Sequence, residues 1–468
     1  MALDFFLFYR YSIAEIWLKQ AETMPLDFRQ HHYHIMTFGC QMNKNDSERL
    51  AAVLNHMGMK PVDSPEEADV IMLNSCSVRE SAEGRIYGTT RNLAKLKEKT
   101  PHLVVGVTGC MPGRDKDGKL GKSLQGVDLY FPIKDMTQLP QKLAEVNPAL
   151  RPMVDLDEDY LKMRPSWNKT FQTFVSIQTG CNMFCTYCVV PYARGLERNR
   201  SVKDIMDEVR ELASKGCLEI VLLGQIVNHY VAPDAEQFSA NNPYKHNDFA
   251  KLLWEINQVD GIERIHYTAP HPLYMDDEAI DALTLPKQLN YIHLPMQSGS
   301  TEILARMNRR HNRELYLDTI KRIREKCPDI AIATDIIVGF CGESEKQFME
   351  TFAAYQECDF DISYTAQFSM RTGTLATKIY KDDVSKIDKK DRWNRLQALM
   401  EETTLRKNQK FLNKTVSVLI DDYKDGWLTG NSREMKRVRC KGDASLVGTM
   451  QSVIIIRPDR WILFGTLA

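Results

Sequence analysis

The sequence predicts an α/β protein in three parts: an N-terminal parallel α/β domain, a central partial (β/α)6 barrel, and a small C-terminal all-β barrel. Two observations carry this reading. Strand-like and helix-like segments alternate from about residue 31 to residue 400, the pattern of a parallel sheet with crossover helices. After residue 405 the alternation stops, and short period-two segments separated by Gly and Asp turns take over.

Within residues 31–150, His34–Phe38, Ala68–Leu73 and Leu103–Val107 read as strands, with helices at Asp46–Met57 and Ser81–Lys97. Each strand runs out into a cysteine: Cys40, Cys76 and Cys110. Parallel neighbours place their C-terminal ends on one edge, where open α/β sheets bind ligands. One such cysteine would read as ordinary core. Three in equivalent positions point to a metal or cluster site.

Residues 1–30 form an N-terminal extension. Its apolar run Asp4–Tyr11 is too short to span a bilayer and lacks a basic flank. It reads as a docking tail or a poorly ordered extension. Residues 151–169, with Pro152, Pro165 and several charges, read as a linker.

Residues 170–400 repeat a strand–helix unit. The strands are Phe174–Gln178, Glu219–Leu223, Arg264–Tyr267, Tyr291–Leu294, Ile330–Val338 and Ser363–Phe368. Helical patterns lie between them at Lys203–Lys215, Phe249–Gln258, Arg313–Lys326 and Glu345–Cys358. Six units make a partial barrel, since a complete one needs about eight. Such barrels act at the C-terminal ends of their strands. The loop after the first strand carries Cys181, Cys185 and Cys188 in the spacing C-x-x-x-C-x-x-C.

Three thiolates so spaced can ligate three irons of a cubane and leave the fourth open. The next cysteine, Cys217, lies beyond a predicted helix. A closed zinc site would need a fourth ligand, and no second C-x-x-C pair lies nearby. An open iron suits S-adenosylmethionine (SAM), whose amino and carboxylate groups can chelate it.

Past the charged helix Asp388–Lys410, residues 405–468 read as the small barrel. Its strands are Thr415–Ile420, Arg437–Cys440, Met450–Ile456 and Arg460–Phe464, and Val416, Val418 and Ile420 mark a buried face. Small barrels of this kind bind oligonucleotides.

Composition bounds the rest. The 468 residues suffice for about three domains, and 43% hydrophobic content is ordinary for a globular protein. A formal net charge of −1 removes any global basic field, so nucleic acid must be met by a local patch. Three basic stretches qualify: Arg194/Arg198/Arg200, Arg306/Arg309/Arg310/Arg313 and Arg433/Lys436/Arg437/Arg439/Lys441. Each alone reads as a solvated face. Eleven cysteines without a secretion signal favour metal binding or catalysis in a reducing cytoplasm.

The run Gly180–Cys188 resembles the cluster motif of the radical SAM superfamily. Its continuation Val189-Val190-Pro191-Tyr192-Ala193-Arg194-Gly195 resembles the methylthiotransferases. Thr37–Asn43 and Asn74–Glu80 are similar to the tRNA branch of that family. The likeness runs from about His31 to the C-terminus and implies a C-terminal TRAM domain, an RNA-binding module. Gly430-Asn431-Ser432-Arg433 resembles a turn of that module.

The resemblance further implies two [4Fe-4S] clusters and SAM. Cys181, Cys185 and Cys188 would hold the radical-generating cluster, with Phe184 and Tyr187 shielding it. Cys40, Cys76 and Cys110 would hold an auxiliary cluster that carries or supplies sulfur. Tyr187, Gly224, Gln225, Gln297, Ser298, Val338 and Gly339 would contact SAM. Arg194, Arg433, Lys436 and Arg437 would contact tRNA. Two positions depart from the usual pattern: Gln225 replaces an acid, and Cys341 stands where relatives carry Pro.

The implied activity is methylthiolation at C2 of N6-(dimethylallyl)adenosine at position 37 of the tRNA anticodon loop. Other branches act on N6-threonylcarbamoyladenosine or on a ribosomal-protein aspartate. The runs Cys188–Tyr192 and Cys76–Glu80 favour the first. A non-catalytic RNA-binding or iron-sulfur sensor protein is the remaining class, and two open-iron triplets argue against mere sensing. The implied partners are the tRNA anticodon stem-loop and an electron donor such as flavodoxin or ferredoxin, with a monomeric chain and no membrane.

Overall fold

The computed structural model describes residues 30–77, 80–150, 159–167 and 171–468. Residues 1–29 and most of the expected linker therefore lie outside the described residues.

The first sheet is parallel, in the order β2-β1-β3-β4-β5. Its strands are β1 (His32–Thr37), β2 (Lys60–Pro61), β3 (Val70–Ser75), β4 (Val104–Gly109) and β5 (Leu129–Tyr130). The two edge strands are two residues each, too short for a period-two pattern to show. Helices α1 (Gln41–His56) and α2 (Glu80–Lys99) cross between strands. A short helix α3 begins at Cys110 itself and ends at Arg114. Strands β3 and β4 are buried along their whole length, as a sheet covered on both faces requires.

The central part has six parallel strands in two halves. Strands β6 (Gln172–Ser176), β7 (Glu219–Leu223) and β8 (Arg264–Tyr267) form one half. Strands β9 (Tyr291–His293), β10 (Ala331–Val338) and β11 (Ile362–Gln367) form the other. A single parallel bridge from Ile265 to Gln288 joins the halves. Among the described residues no pairing joins β11 back to β6, so the barrel stays open on that side. Helices α5 (Val202–Ser214), α6 (Asp248–Asn257), α7 (Arg313–Lys326) and α8 (Glu345–Cys358) bury their apolar faces against it. Helix α4 (Val190–Arg194) is a single turn in the loop after β6.

The long helix α9 (Lys386–Gln409) leads into a closed five-stranded barrel in the order β12-β13-β14-β16-β15. These strands are β12 (Thr415–Lys424), β13 (Trp427–Ser432), β14 (Arg437–Lys441), β15 (Met450–Pro458) and β16 (Leu463–Leu467). Val416, Val418, Ile420, Leu428, Val438 and Val453 fill its core. The expected turn at Gly430-Asn431-Ser432 belongs instead to strand β13. Gly430 is mid-strand, and a Cβ there would overlap the Leu419 carbonyl oxygen. The glycine marks close strand approach, and the turn follows at Arg433–Lys436.

Candidate functional site

Cys40 caps α1, Cys76 follows β3 by one residue, and Cys110 follows β4 by one residue. The parallel register sets Ser75 against Gly109, which brings the last two strand ends level. A Cβ on Gly39 would stand 2.9 Å from the Cys76 Cβ. The three thiols therefore share one neighbourhood. Burial pushes the Cys110 thiol up to about 11, and Cys76 and Cys40 nearby act in the same direction.

Asparagines hold this edge together. Asn43 Nδ2 donates to Asn74 Oδ1 (2.9 Å) and to the Ser75 carbonyl (3.1 Å). Asn74 Nδ2 donates to the Asn43 carbonyl and to Ser47 Oγ. Both side chains are fully buried, so each amide needs these partners. Both residues sit in the motifs that carry the resemblance, yet nothing in the sequence pattern marks them as the brace of this edge.

The second triplet lies on the loop after β6. Gly180, at φ +77°, opens it, and a Cβ there would overlap the Leu196 carbonyl oxygen. Each of the three sulfurs accepts one N–H. Met183 N donates to Cys181 Sγ (3.5 Å), Val190 N to Cys188 Sγ (3.4 Å), and an Arg309 guanidinium nitrogen to Cys185 Sγ (3.6 Å). Burial pushes the Cys181 thiol up to about 11 and the Cys188 thiol up to about 12, and Cys185 adds to both.

Among the described residues, no three His, Cys, Asp or Glu side chains could share a single metal ion. A cubane asks for something wider, because its three cysteines bind three separate irons. Three neighbouring thiols, each with an N–H donor to its sulfur, fit such a group, since hydrogen bonds to sulfur tune cluster potentials.

The two triplet loops meet. Helix α3, which starts at Cys110, packs against α4, which follows Cys188. A Cβ on Gly113 would overlap the Ala193 carbonyl oxygen. Arg194 Nη2 then pairs with Asp46 Oδ2 at 2.5 Å, both side chains buried. Tyr160 also donates to Asp46. Arg194 thus ties α4 to α1 and is unavailable to RNA, a correction to the sequence reading. Its neighbours are likewise engaged: Arg198 pairs with Asp159 and Arg200 with Glu208.

A cavity of about 860 Å³ opens beside Cys188 and is lined by Tyr187, Gln297, Asp335, Tyr364 and Ser77 among others. Its size suits a drug-sized or cofactor-sized ligand. Gln297 holds φ +67°, and among the described residues its Oε1 has no partner although the residue is 9% exposed. Gln225 Oε1, just past the end of β7, also lacks a partner among the described residues.

The other residues expected to meet SAM behave differently. Ser298 Oγ faces Thr351 Oγ1 (3.2 Å) and accepts from Ser300 N, which fastens its loop to α8. Gly339 donates its N–H to Glu343, and a Cβ there would overlap Lys389. The Val338 side chain is core. The Gly224 backbone passes close to Gln178 Oε1. Phe184 is 36% exposed and meets Tyr192 edge-on, so it does not shield the cysteines. Tyr187 does pack against them.

The chain is similar to known proteins. A radical SAM superfamily model matches residues 175–354, and the uncharacterized protein family UPF0004 matches residues 32–132. A tRNA-2-methylthio-N(6)-dimethylallyladenosine synthase from Caldicellulosiruptor saccharolyticus is 41% identical over 97% of this chain and 96% of its own. The synthase from Geobacillus thermodenitrificans is 40% identical over 95% of this chain and 86% of its own.

The chain belongs to the tRNA-2-methylthio-N(6)-dimethylallyladenosine synthase family.

A radical S-adenosylmethionine methyltransferase from Kitasatospora setae shares the fold, with a TM-score of 0.53, 12% identity and coverage of 74% of each chain.

The C-terminal barrel of this synthase-family chain corrects the remaining RNA assignments. Arg433 donates to the Pro286 and Gln288 carbonyls at 2.7 and 2.6 Å, docking the β13–β14 turn on the central barrel. Lys436 Nζ pairs with buried Asp361 at 2.9 Å. Arg437 pairs with Asp421 at 2.6 Å. From the other side, Arg264 donates to the Asn431 and Ser432 carbonyls. Arg433, Lys436 and Arg264 hold two parts of the protein together, and Arg437 is spent within the barrel.

A different face of the same barrel is open. The Arg439 guanidinium lies 4.7 Å, and Lys441 Nζ 4.1 Å, from the Trp427 ring centroid. The Arg457 guanidinium lies 4.0 Å from the Phe464 centroid, and the two rings meet edge-on at 6.4 Å. Among the described residues, none of these three cations forms an ion pair. Aromatic rings interleaved with unpaired cations suit a nucleic-acid strand.

Proposed function

We propose that the chain is a radical SAM methylthiotransferase that adds a methylthio group to C2 of N6-(dimethylallyl)adenosine at position 37 of the tRNA anticodon loop. The observation that carries this reading is the packing of α3 on α4, which sets two cysteine triplets side by side in a synthase-family chain. Cys181, Cys185 and Cys188 hold one [4Fe-4S] cluster, and Cys40, Cys76 and Cys110 hold the other. Bound there with SAM, two such clusters would supply one-electron reductive chemistry and the sulfur to be transferred.

The chain's own residues place the reactants. Tyr187 and Gln297 line the cavity beside Cys188, and among the described residues the buried Gln297 Oε1 has no hydrogen-bond partner. Tyr364, half exposed in the same cavity, offers a ring for base stacking. The Arg194–Asp46 pair and the Gly113–Ala193 contact fix the distance between the two triplets.

We assign tRNA contact to the Trp427/Phe464 face with Arg439, Lys441 and Arg457. Phosphate contacts there would supply affinity, and base contacts in the cavity specificity. Among the described residues, no helix is long and apolar enough to cross a membrane. We place the enzyme in the cytoplasm as a monomer, fed electrons by a flavodoxin or ferredoxin.

The test is mass spectrometry of tRNA nucleosides from a host lacking its own enzyme. Expression of this chain should restore 2-methylthio-N6-(dimethylallyl)adenosine. Restoration of a methylthiolated threonylcarbamoyladenosine instead would assign the chain to the other branch.

A further inference from the structure

Arg309 is a buried cation without a counter-ion among the described residues. It is 8% exposed, and among the described residues it forms no ion pair. Among the described residues its Nε has no hydrogen-bond partner. Its one side-chain bond among the described residues runs to Cys185 Sγ at 3.6 Å. Burying a charge is expensive unless an opposite charge or strong hydrogen bonds compensate.

The surroundings hold the backbone that carries this guanidinium in place. Asn308 Nδ2 donates to the Met183 and Phe184 carbonyls, and Thr186 N donates to the Met307 carbonyl. Arg309 N donates to the Leu304 carbonyl at 2.9 Å. The segment that carries Arg309 is thereby stapled to the cysteine loop. The nearby rings of His271 and His311 stand 5.3 Å apart. Burial, reinforced by Arg309 itself, keeps both imidazoles below the ordinary histidine range, so they add no positive charge near neutrality.

A lone guanidinium aimed at a cysteine sulfur is costly in a protein of neutral thiols and favourable beside thiolates bound to iron. We propose that Arg309 is the built-in counter-charge of the Cys181–Cys185–Cys188 site, a positioning residue that stabilises its iron–sulfur cluster through the Cys185 sulfur and raises its reduction potential. This rests on the reading that these cysteines hold a cluster. A fixed positive charge and an N–H to sulfur both favour the more negative, reduced state. The charge pattern of the sequence groups Arg309 with a phosphate-binding stretch, and the structure turns it inward.

The experiment is a redox titration, followed by electron paramagnetic resonance, of the reconstituted full chain. The cluster in question is the one whose spectrum responds to added SAM. Arg309→Gln should lower its potential and leave the other cluster unchanged, while Arg309→Lys should keep most of the native value. A native potential in iron-loaded Arg309→Gln overturns the proposal, as does a fall in Arg309→Lys as large as in Arg309→Gln. Weakened SAM binding with an unmoved potential overturns it too, because the guanidinium would then serve SAM. If the Gln variant does not load iron, thermal melting of iron-free protein decides. Removing an uncompensated cation should raise the melting temperature above that of the iron-free native chain, and a drop contradicts the idea. Native protein that takes up no iron at these cysteines would refute the cluster reading itself.

Discussion

Gly113 lies against the carbonyl oxygen of Ala193 so closely that a methyl group on Gly113 would overlap it. One residue belongs to the helix that begins at Cys110 and the other to the helix that follows Cys188. Their contact sets how closely the two cysteine loops approach. Gly113→Ala must push the loops apart or strain them, at about 1–3 kcal/mol for an overpacked site. The expected variant is folded, loads iron, and makes more 5′-deoxyadenosine per methylthiolated product than the native chain. Chromatography of both products from one reaction measures that ratio.

The Arg194–Asp46 pair should behave as a buried ion pair. Removing one partner leaves an uncompensated charge, so Arg194→Met and Asp46→Leu should each cost about 3–5 kcal/mol. The double variant should cost less than their sum. Denaturant melts of the four proteins close the cycle, and additive losses would show that the charges do not interact.

On the small barrel, position decides which cations meet RNA. Neutralising Arg439, Lys441 and Arg457 together should weaken tRNA binding. It should also flatten the log–log salt slope by roughly 0.7–0.9 for each phosphate left without its cation. Neutralising Arg433 or Lys436 should lower the melting temperature and leave the slope alone. Deleting the barrel is the poorer test, because it would strip Asp361 of Lys436 and expose Arg264.

Trp427 should contribute by stacking. Trp427→Ala removes a platform worth about 1–3 kcal/mol per stacked base, which weakens Kd by about fivefold to about a hundredfold. Trp427→Phe should recover part of it. Fluorescence anisotropy with an anticodon stem-loop measures both.

Several elements were legible in the sequence because burial alone shaped them. Strands Glu219–Leu223 and Arg264–Tyr267 and helices Arg313–Lys326 and Glu345–Cys358 end where hydrophobic periodicity ends them. Periodicity starts helix α1 at Asp46, whereas the helix starts at Gln41. Asn43, Asn45 and Asp46 are fully buried, and amphipathic patterning assumes that polar residues face water. The convergence of Cys40, Cys76 and Cys110 followed from parallel strand ends. The role of each cation did not, because its partner is remote in sequence. Asp46 is 148 residues from Arg194, and Asp361 is 75 from Lys436. A charge run shows that cations are present and not which of them the fold has already used.

The central claim is that both cysteine triplets hold a [4Fe-4S] cluster, and iron content after anaerobic reconstitution tests it most directly. The native chain should hold about eight irons. Replacing Cys181, Cys185 and Cys188 by Ala should leave about four, and replacing Cys40, Cys76 and Cys110 should likewise leave about four. Undiminished iron in the second variant would contradict the account, because the three strand ends would then hold no cluster.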